Sequence, residues 1–171
     1  MADPRVVPQY DIPARQDHLA IFDADFRQDI SLYQEHDHVQ TLEATLGDRV
    51  VGRKVGVGVH SPYRDVVDIA HLLQDTDADG LITIGSSSDS DAGKVASKLA
   101  NTLRPRFTEA DVGAIVDQAK GHATTNAARV RVIQAPTSLS AAEWNGTASA
   151  TNADGKKQHF GLANHRDAPP T

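Results

Sequence analysis

No cysteine occurs anywhere in the 171 residues, which excludes disulfides, thiolate nucleophiles and zinc–thiolate clusters. Aromatic residues make up only 5% of the chain. Val, Ile, Leu and Ala must therefore build the core, a composition that suits layered α/β packing better than an aromatic-rich β-sandwich. Lys and Arg never gather into a run, and 17 basic against 23 acidic residues leave a net charge of −6. Neither nucleic acid nor an anionic membrane surface is an expected partner. No apolar stretch approaches the roughly 18 residues a bilayer crossing needs. The N-terminus "MADPRVVPQYDIPARQ" also lacks the basic-then-apolar order of a signal peptide. A cytoplasmic protein is expected.

What the sequence does contain is an alternation of short β-branched runs and amphipathic stretches. Residues 1–16 carry three prolines and little periodicity and read as an arm; residues 17–171 read as a single domain. "HLAIFD" (18–23), "RVVGRKVGVGV" (49–59), "LITIG" (81–85) and "RVRVIQAP" (129–136) are strand-like. Between them, "EHDHVQTLEATLGD" (35–48) ends at Gly47, a suitable C-cap, and Pro62 opens a stretch in which Val66, Ile69, Ala70 and Leu73 share a helical face. Residues 88–103 and 108–120 repeat that spacing, the second behind a Thr108–Asp111 capping box. This order predicts an α/β fold: a mostly parallel sheet with helices on both faces. Near the C-terminus, "TASAT" turning at "NADGKK" predicts a β-hairpin.

The stretch richest in chemistry is "LITIGSSSDSDAGK" (81–94), a strand running into a helix through serines and aspartates. Ser88 with Asp91 three residues on forms a capping box at a helix N-terminus, on the strand end where α/β sheets bind ligands. Free N–H groups there favour an anion such as phosphate; an ordinary βα turn capped by its own serine fits the same residues. "DTDADGLI" (75–82) imitates the start of an EF-hand loop, but its twelfth position is Ser86 where a bidentate Glu is required. His36 and His38 point to opposite sides of a helix, and the remaining histidines show no ligand spacing. No GxSxG elbow exposes a serine nucleophile.

Three stretches together resemble one family, the iron-containing alcohol dehydrogenases and maleylacetate reductases. "GSSSDSDAGK" (85–94) is similar to their GGGSxxDxxK fingerprint, and "QAPTSLSAAEWNGTASATNADGKKQHFG" (134–161) to their P-T-T-x-x-G/S-S-E segment with its hairpin and lysine. "GDRVVGRKVGVGVHSPYRDV" (47–66) resembles the strand and His-x-Pro turn before their second helix. The resemblance implies a Rossmann-like domain that binds NAD or NADP. Gly85, Ser86, Ser87, Ser88 and Asp91 would hold the pyrophosphate turn, Thr137 and Ser138 would lie near the nicotinamide-side phosphate and ribose, and Lys157 would match the lysine after the hairpin.

The family's divalent metal belongs to a C-terminal helical domain, so no metal is expected in this chain. Dinucleotide binding is expected to be weakened, because Ser86 and Ser87 stand at two family glycines. A Cβ at a position needing φ > 0 costs about 1–2 kcal/mol. Asp89 adds a carboxylate worth up to ~4 kcal/mol of repulsion against a phosphate charge. The resulting expectation is a stand-alone or truncated NAD(P)-binding domain related to oxidoreductases of a small-molecule alcohol or carbonyl. One alternative is a cofactor-independent enzyme, an isomerase, cyclase or dehydratase, using His60, Asp89, Asp91 and His159 as acid/base groups. A non-catalytic dimerising partner is the other. Self-association into a homodimer or larger assembly is expected under all three.

Overall fold

A computed structural model describes residues 19–23, 38–101, 106–118, 130–142 and 146–161. The predicted arm and the residues beyond 161 lie outside that set, as does the first histidine of "EHDHV". Four strands, β1 (Leu19–Asp23), β2 (Val50–Val55), β3 (Gly80–Gly85) and β4 (Arg131–Pro136), pair in the order β2-β1-β3-β4, every neighbour parallel. Helix α1 (His38–Leu46) precedes β2, α2 (Tyr63–Asp75) links β2 to β3, and α3 (Ser87–Ala100) and α4 (Glu109–Gln118) lie between β3 and β4. A short helix α5 (Leu139–Ala142) leads to β5 (Thr147–Thr151) and β6 (Lys157–Gly161), an antiparallel pair. The α/β class, the parallel sheet and the C-terminal hairpin are as the sequence predicts.

Periodicity explains α2 directly. Val66, Ile69, Ala70 and Leu73 are all at most 1% exposed, and burying each of the larger three is worth about 1.5–3 kcal/mol. Gly47 stops the segment before β2 with φ of 57°, the left-handed geometry of a helix terminator. At the head of α4 the Thr108 N–H and hydroxyl both donate to the Asp111 carboxylate at 2.9 Å, as the capping pattern predicts.

The sheet presents Gly52, Leu81 and Val132 in one register row toward α2 and α3. Arg53 faces the other way and pairs with Glu43 of α1 at 3.3 Å. A third layer covers α2 and α3: Ala148, Ala150 and Phe160 of the hairpin and Val112 and Ile115 of α4 join the same buried cluster. The core thus lies between the sheet and this outer layer, with α2 and α3 in its middle. Among the described residues no helix is long and apolar enough to cross a membrane.

The approach of α3 to β3 is set by Gly93, where an added Cβ would sit 2.3 Å from the Thr83 methyl. Gly93→Ala is therefore expected to destabilise the fold by about 1–3 kcal/mol in urea unfolding. A second change, Thr83→Ser, removes the clashing methyl and should recover much of that loss. Equal stability of Gly93→Ala and the parent would show that the two elements are not in close contact.

Candidate functional site

In a parallel sheet of order β2-β1-β3-β4 the chain leaves β1 toward one side and β3 toward the other, so the carboxyl ends of β1 and β3 form the switch point at which such sheets bind ligands. The turn that leaves β3 at this point is the serine-rich stretch. Gly85 ends the strand at φ of 155°, while Ser86 sits at φ −82° and Ser87 is already helical. Neither serine occupies a conformation that calls for glycine. The backbone penalty expected from the two glycine-to-serine replacements is therefore absent.

The capping box falls two residues earlier than the sequence suggests. Ser86 is the N-cap, and its N–H and hydroxyl donate to Asp89 Oδ2 at 2.7 and 2.9 Å. "SSSDSD" contains two overlapping Ser-x-x-Asp pairs, and tertiary contacts decide between them. The Ser88 hydroxyl accepts the His60 N–H at 3.1 Å, and Asp91 Oδ2 accepts the Ser149 N–H of β5 at 2.9 Å. With both members of the second pair engaged elsewhere, the first pair caps the helix. Asp89 is consequently only 4% exposed, folded against the turn.

Two neighbouring turns meet this one. After β2, His60 and Ser61 are consecutively left-handed, at φ of 66° and 55°, a costly conformation that needs support from its surroundings. That support is explicit: the Ser61 hydroxyl donates to the Ser88 carbonyl at 2.7 Å, and Thr151 donates its N–H to the Ser61 carbonyl at 3.0 Å and its hydroxyl to the His60 carbonyl at 2.9 Å. Ser61 is 1% exposed, and nothing in the sequence marks it, since a serine before a proline is ordinary. After β4, the Thr137 N–H donates to the Gly85 carbonyl at 2.9 Å, which places Thr137 and Ser138 directly beside the serine turn. Gln134 of β4 holds Ser90 of α3 by a side-chain hydrogen bond. Thr83, Gly85, Ser90, Gln134, Ala135 and Pro136 line a shallow depression there.

The remaining predicted residues are distributed around this centre. Asp91 ties α3 to the hairpin, and its other oxygen lies 3.7 Å from the Lys94 ammonium. Lys94 is 5% exposed and donates to the Thr147 carbonyl at 3.3 Å. Burial holds the Lys94 ammonium below its ordinary pKa, against the opposing pull of Asp91. Lys157 opens β6, exposed and paired across the ladder with Thr151. His159 is exposed on β6, and its Nδ1 shares a 2.9 Å hydrogen bond with the Ser149 hydroxyl. His60, by contrast, is on the turn that touches the first turn of α3. The two histidines stand on separate elements, each joined to the hairpin.

Chemically, the centre offers what a phosphate needs: helix N–H groups, hydroxyls of Ser87, Thr137 and Ser138, and a glycine that lets the backbone come close. The surface beside it is a shallow depression without the enclosed volume of an ordinary small-molecule pocket. Among the described residues no group of three His, Asp or Glu side chains could hold a metal ion, and no step through a metal is derived for this chain.

Comparison with known proteins places the same residues in a family. The sequence profile described as "Iron-containing alcohol dehydrogenase" matches residues 28–170. A dehydrogenase named ALT3, from Alternaria alternata, is 35% identical over 116 residues, covering 66% of this chain and 29% of that protein. The fold matches a maleylacetate reductase from a Rhizobium strain (TM-score 0.54, 15% identity, 85% of this chain and 31% of that one). It also matches a sulfoacetaldehyde reductase from Bifidobacterium kashiwanohense solved with NAD+ (TM-score 0.61, 18% identity, 86% of this chain and 36% of that one). The chain thus spans about three tenths of the length of the curated relative.

The buried lysine makes a testable signature. Because the folded-state pKa of Lys94 is lowered, the unfolded chain binds its proton more tightly, and the fold is penalised while the lysine is charged. That penalty fades as pH rises from neutral toward the ordinary lysine value of 10.5. Relative to Lys94→Met, the parent should gain stability over this window in denaturant unfolding. Parallel pH profiles for the two proteins would refute it.

Proposed function

The chain belongs to the iron-containing alcohol dehydrogenase family, and from that premise we propose that it is a nicotinamide dinucleotide-binding unit of an oxidoreductase. The observation that carries the reading is the meeting of three βα turns, at His60–Ser61, Gly85–Ser88 and Thr137–Ser138, at the carboxyl end of a parallel sheet. In this arrangement the N–H groups of Ser87 and Ser88 and the hydroxyls of Ser87, Thr137 and Ser138 hold the pyrophosphate, with Gly85 allowing the approach. Asp91 and Lys94 support the turn from behind by fixing α3 to the hairpin.

When bound, NAD or NADP supplies a hydride acceptor or donor for a small alcohol or carbonyl. Within this chain the residues bind and orient the cofactor. His60 adds an ionisable group beside the first turn of α3, and His159 offers a second on the hairpin; both are the chain's acid/base candidates. That a solved structural neighbour contains NAD+ supports the choice of ligand class.

Calorimetric titration with NAD(H) and NADP(H) tests the reading. Binding with a submillimolar Kd is expected for at least one of them; absence of heat up to millimolar ligand would overturn it. Ser88→Ala should weaken binding by about tenfold, because the His60 N–H loses the hydroxyl that ties its turn to the first turn of α3.

A further inference from the structure

The α3 turn differs from an open phosphate cradle in one respect: it already contains an anion. Asp89 Oδ2 accepts two hydrogen bonds, from the Ser86 N–H at 2.7 Å and the Ser86 hydroxyl at 2.9 Å. The carboxylate is 4% exposed, so little solvent screens its charge. A carboxylate oxygen and a phosphate oxygen ask for the same donors and carry the same sign. Asp89 therefore takes the Ser86 N–H for itself and adds negative charge to the place where a phosphate would settle.

Helix capping does not by itself explain why this matters. The same box recurs at α4, where Asp111 accepts the N–H and hydroxyl of Thr108 at 2.9 Å each. The two boxes have the same chemistry, but α4 begins beyond the far end of α3. With 14 residues in α3, the separation along the helix is about 20 Å. One box stands in the meeting place of the three turns; the other stands toward the amino end of the strands, where Arg106 pairs with Asp75 at the close of α2. The chain thus carries its own internal control.

We infer that Asp89 determines which phosphates the turn accepts, selecting singly charged diester phosphates over doubly charged terminal ones. The inference rests on the nucleotide reading of the same turn and deepens it. In a dinucleotide each phosphate of the pyrophosphate bridge carries one negative charge; the terminal phosphate of a nucleoside diphosphate carries close to two at neutral pH. Coulomb repulsion from a fixed charge scales with the ligand's charge. The factor by which Asp89 disfavours a terminal phosphate is therefore roughly the square of the factor for a diester phosphate. Ser86 is part of the device, because glycine at that position would offer Asp89 no hydroxyl to grip. The serine substitution and the aspartate act together: the hydroxyl orients the carboxylate, and the carboxylate sets the charge the site tolerates.

The test compares the parent chain, Asp89→Asn and Asp111→Asn, each titrated calorimetrically with NADH and with ADP at fixed low salt. Asp89→Asn keeps an oxygen to accept the Ser86 donors and removes only the charge. It should bind NADH on the order of tenfold more tightly than the parent, and its gain for ADP should exceed its gain for NADH. Asp111→Asn should leave both affinities unchanged. If Asp89→Asn fails to unfold cooperatively, Asp89→Ser supplies the same test with a neutral acceptor. NADH binding that is equal in the parent and Asp89→Asn overturns the inference and leaves the nucleotide reading standing. An equal gain for NADH and ADP, or a matching gain in Asp111→Asn, also overturns it. No binding of either ligand to any of the proteins defeats both.

Discussion

The start of α3 is the constraint around which the molecule is arranged. A helix begins with backbone N–H groups that have no partner within the helix, and α3 begins at the carboxyl end of β3 with Ser86 and Ser87 exposed. The side chains of its first turns are matched one by one: Asp89 to the Ser86 N–H, the Ser88 hydroxyl to the turn after β2, Asp91 to the hairpin. Each match recruits a different element. The left-handed pair His60–Ser61 is tolerable because Ser88 and Thr151 hold it from two sides, and the hairpin is seated because Asp91 and Lys94 bind two of its backbone groups. Remove the helix start, and the polar ties from α3 to the turn after β2 would go with it.

Much of the fold was legible because its strongest signals are local. Four apolar residues at helical spacing require the α2 face whatever the tertiary context, and the Thr108–Asp111 pair caps α4 because no second Ser/Thr-x-x-Asp pair overlaps it in the sequence. The turn at Asn152–Lys156 likewise follows from Asn and Gly positions. The α3 capping box was misplaced for the opposite reason. Two candidate pairs overlap, and the choice between them depends on residues 28 and 58 positions away, His60 and Ser149. A buried serine such as Ser61 leaves no pattern, since its role consists entirely of contacts with distant backbone.

The exchange of glycine for serine at 86 and 87 shows how a family pattern and a physical requirement can part company. Glycine is indispensable only where the backbone adopts an angle other residues avoid, or where a side chain would collide. Gly85 meets the first condition and Gly93 the second; positions 86 and 87 meet neither in this chain. The backbone therefore keeps its course, and the change is felt in hydroxyl chemistry and charge instead.

Strand β4 closes the described sheet on one side, pairing with β3 and with no other described strand. Among the described residues, its far margin leaves a row of N–H and C=O groups for whatever approaches edge-on, the usual route by which sheets lengthen or stick together. The sequence limits that route. Pro136 contributes no N–H at the carboxyl end, and Arg131 stands charged and exposed at the other. Any strand that joins here has only the short span between a proline and an arginine to pair with, and so must bring its own side-chain contacts to stay.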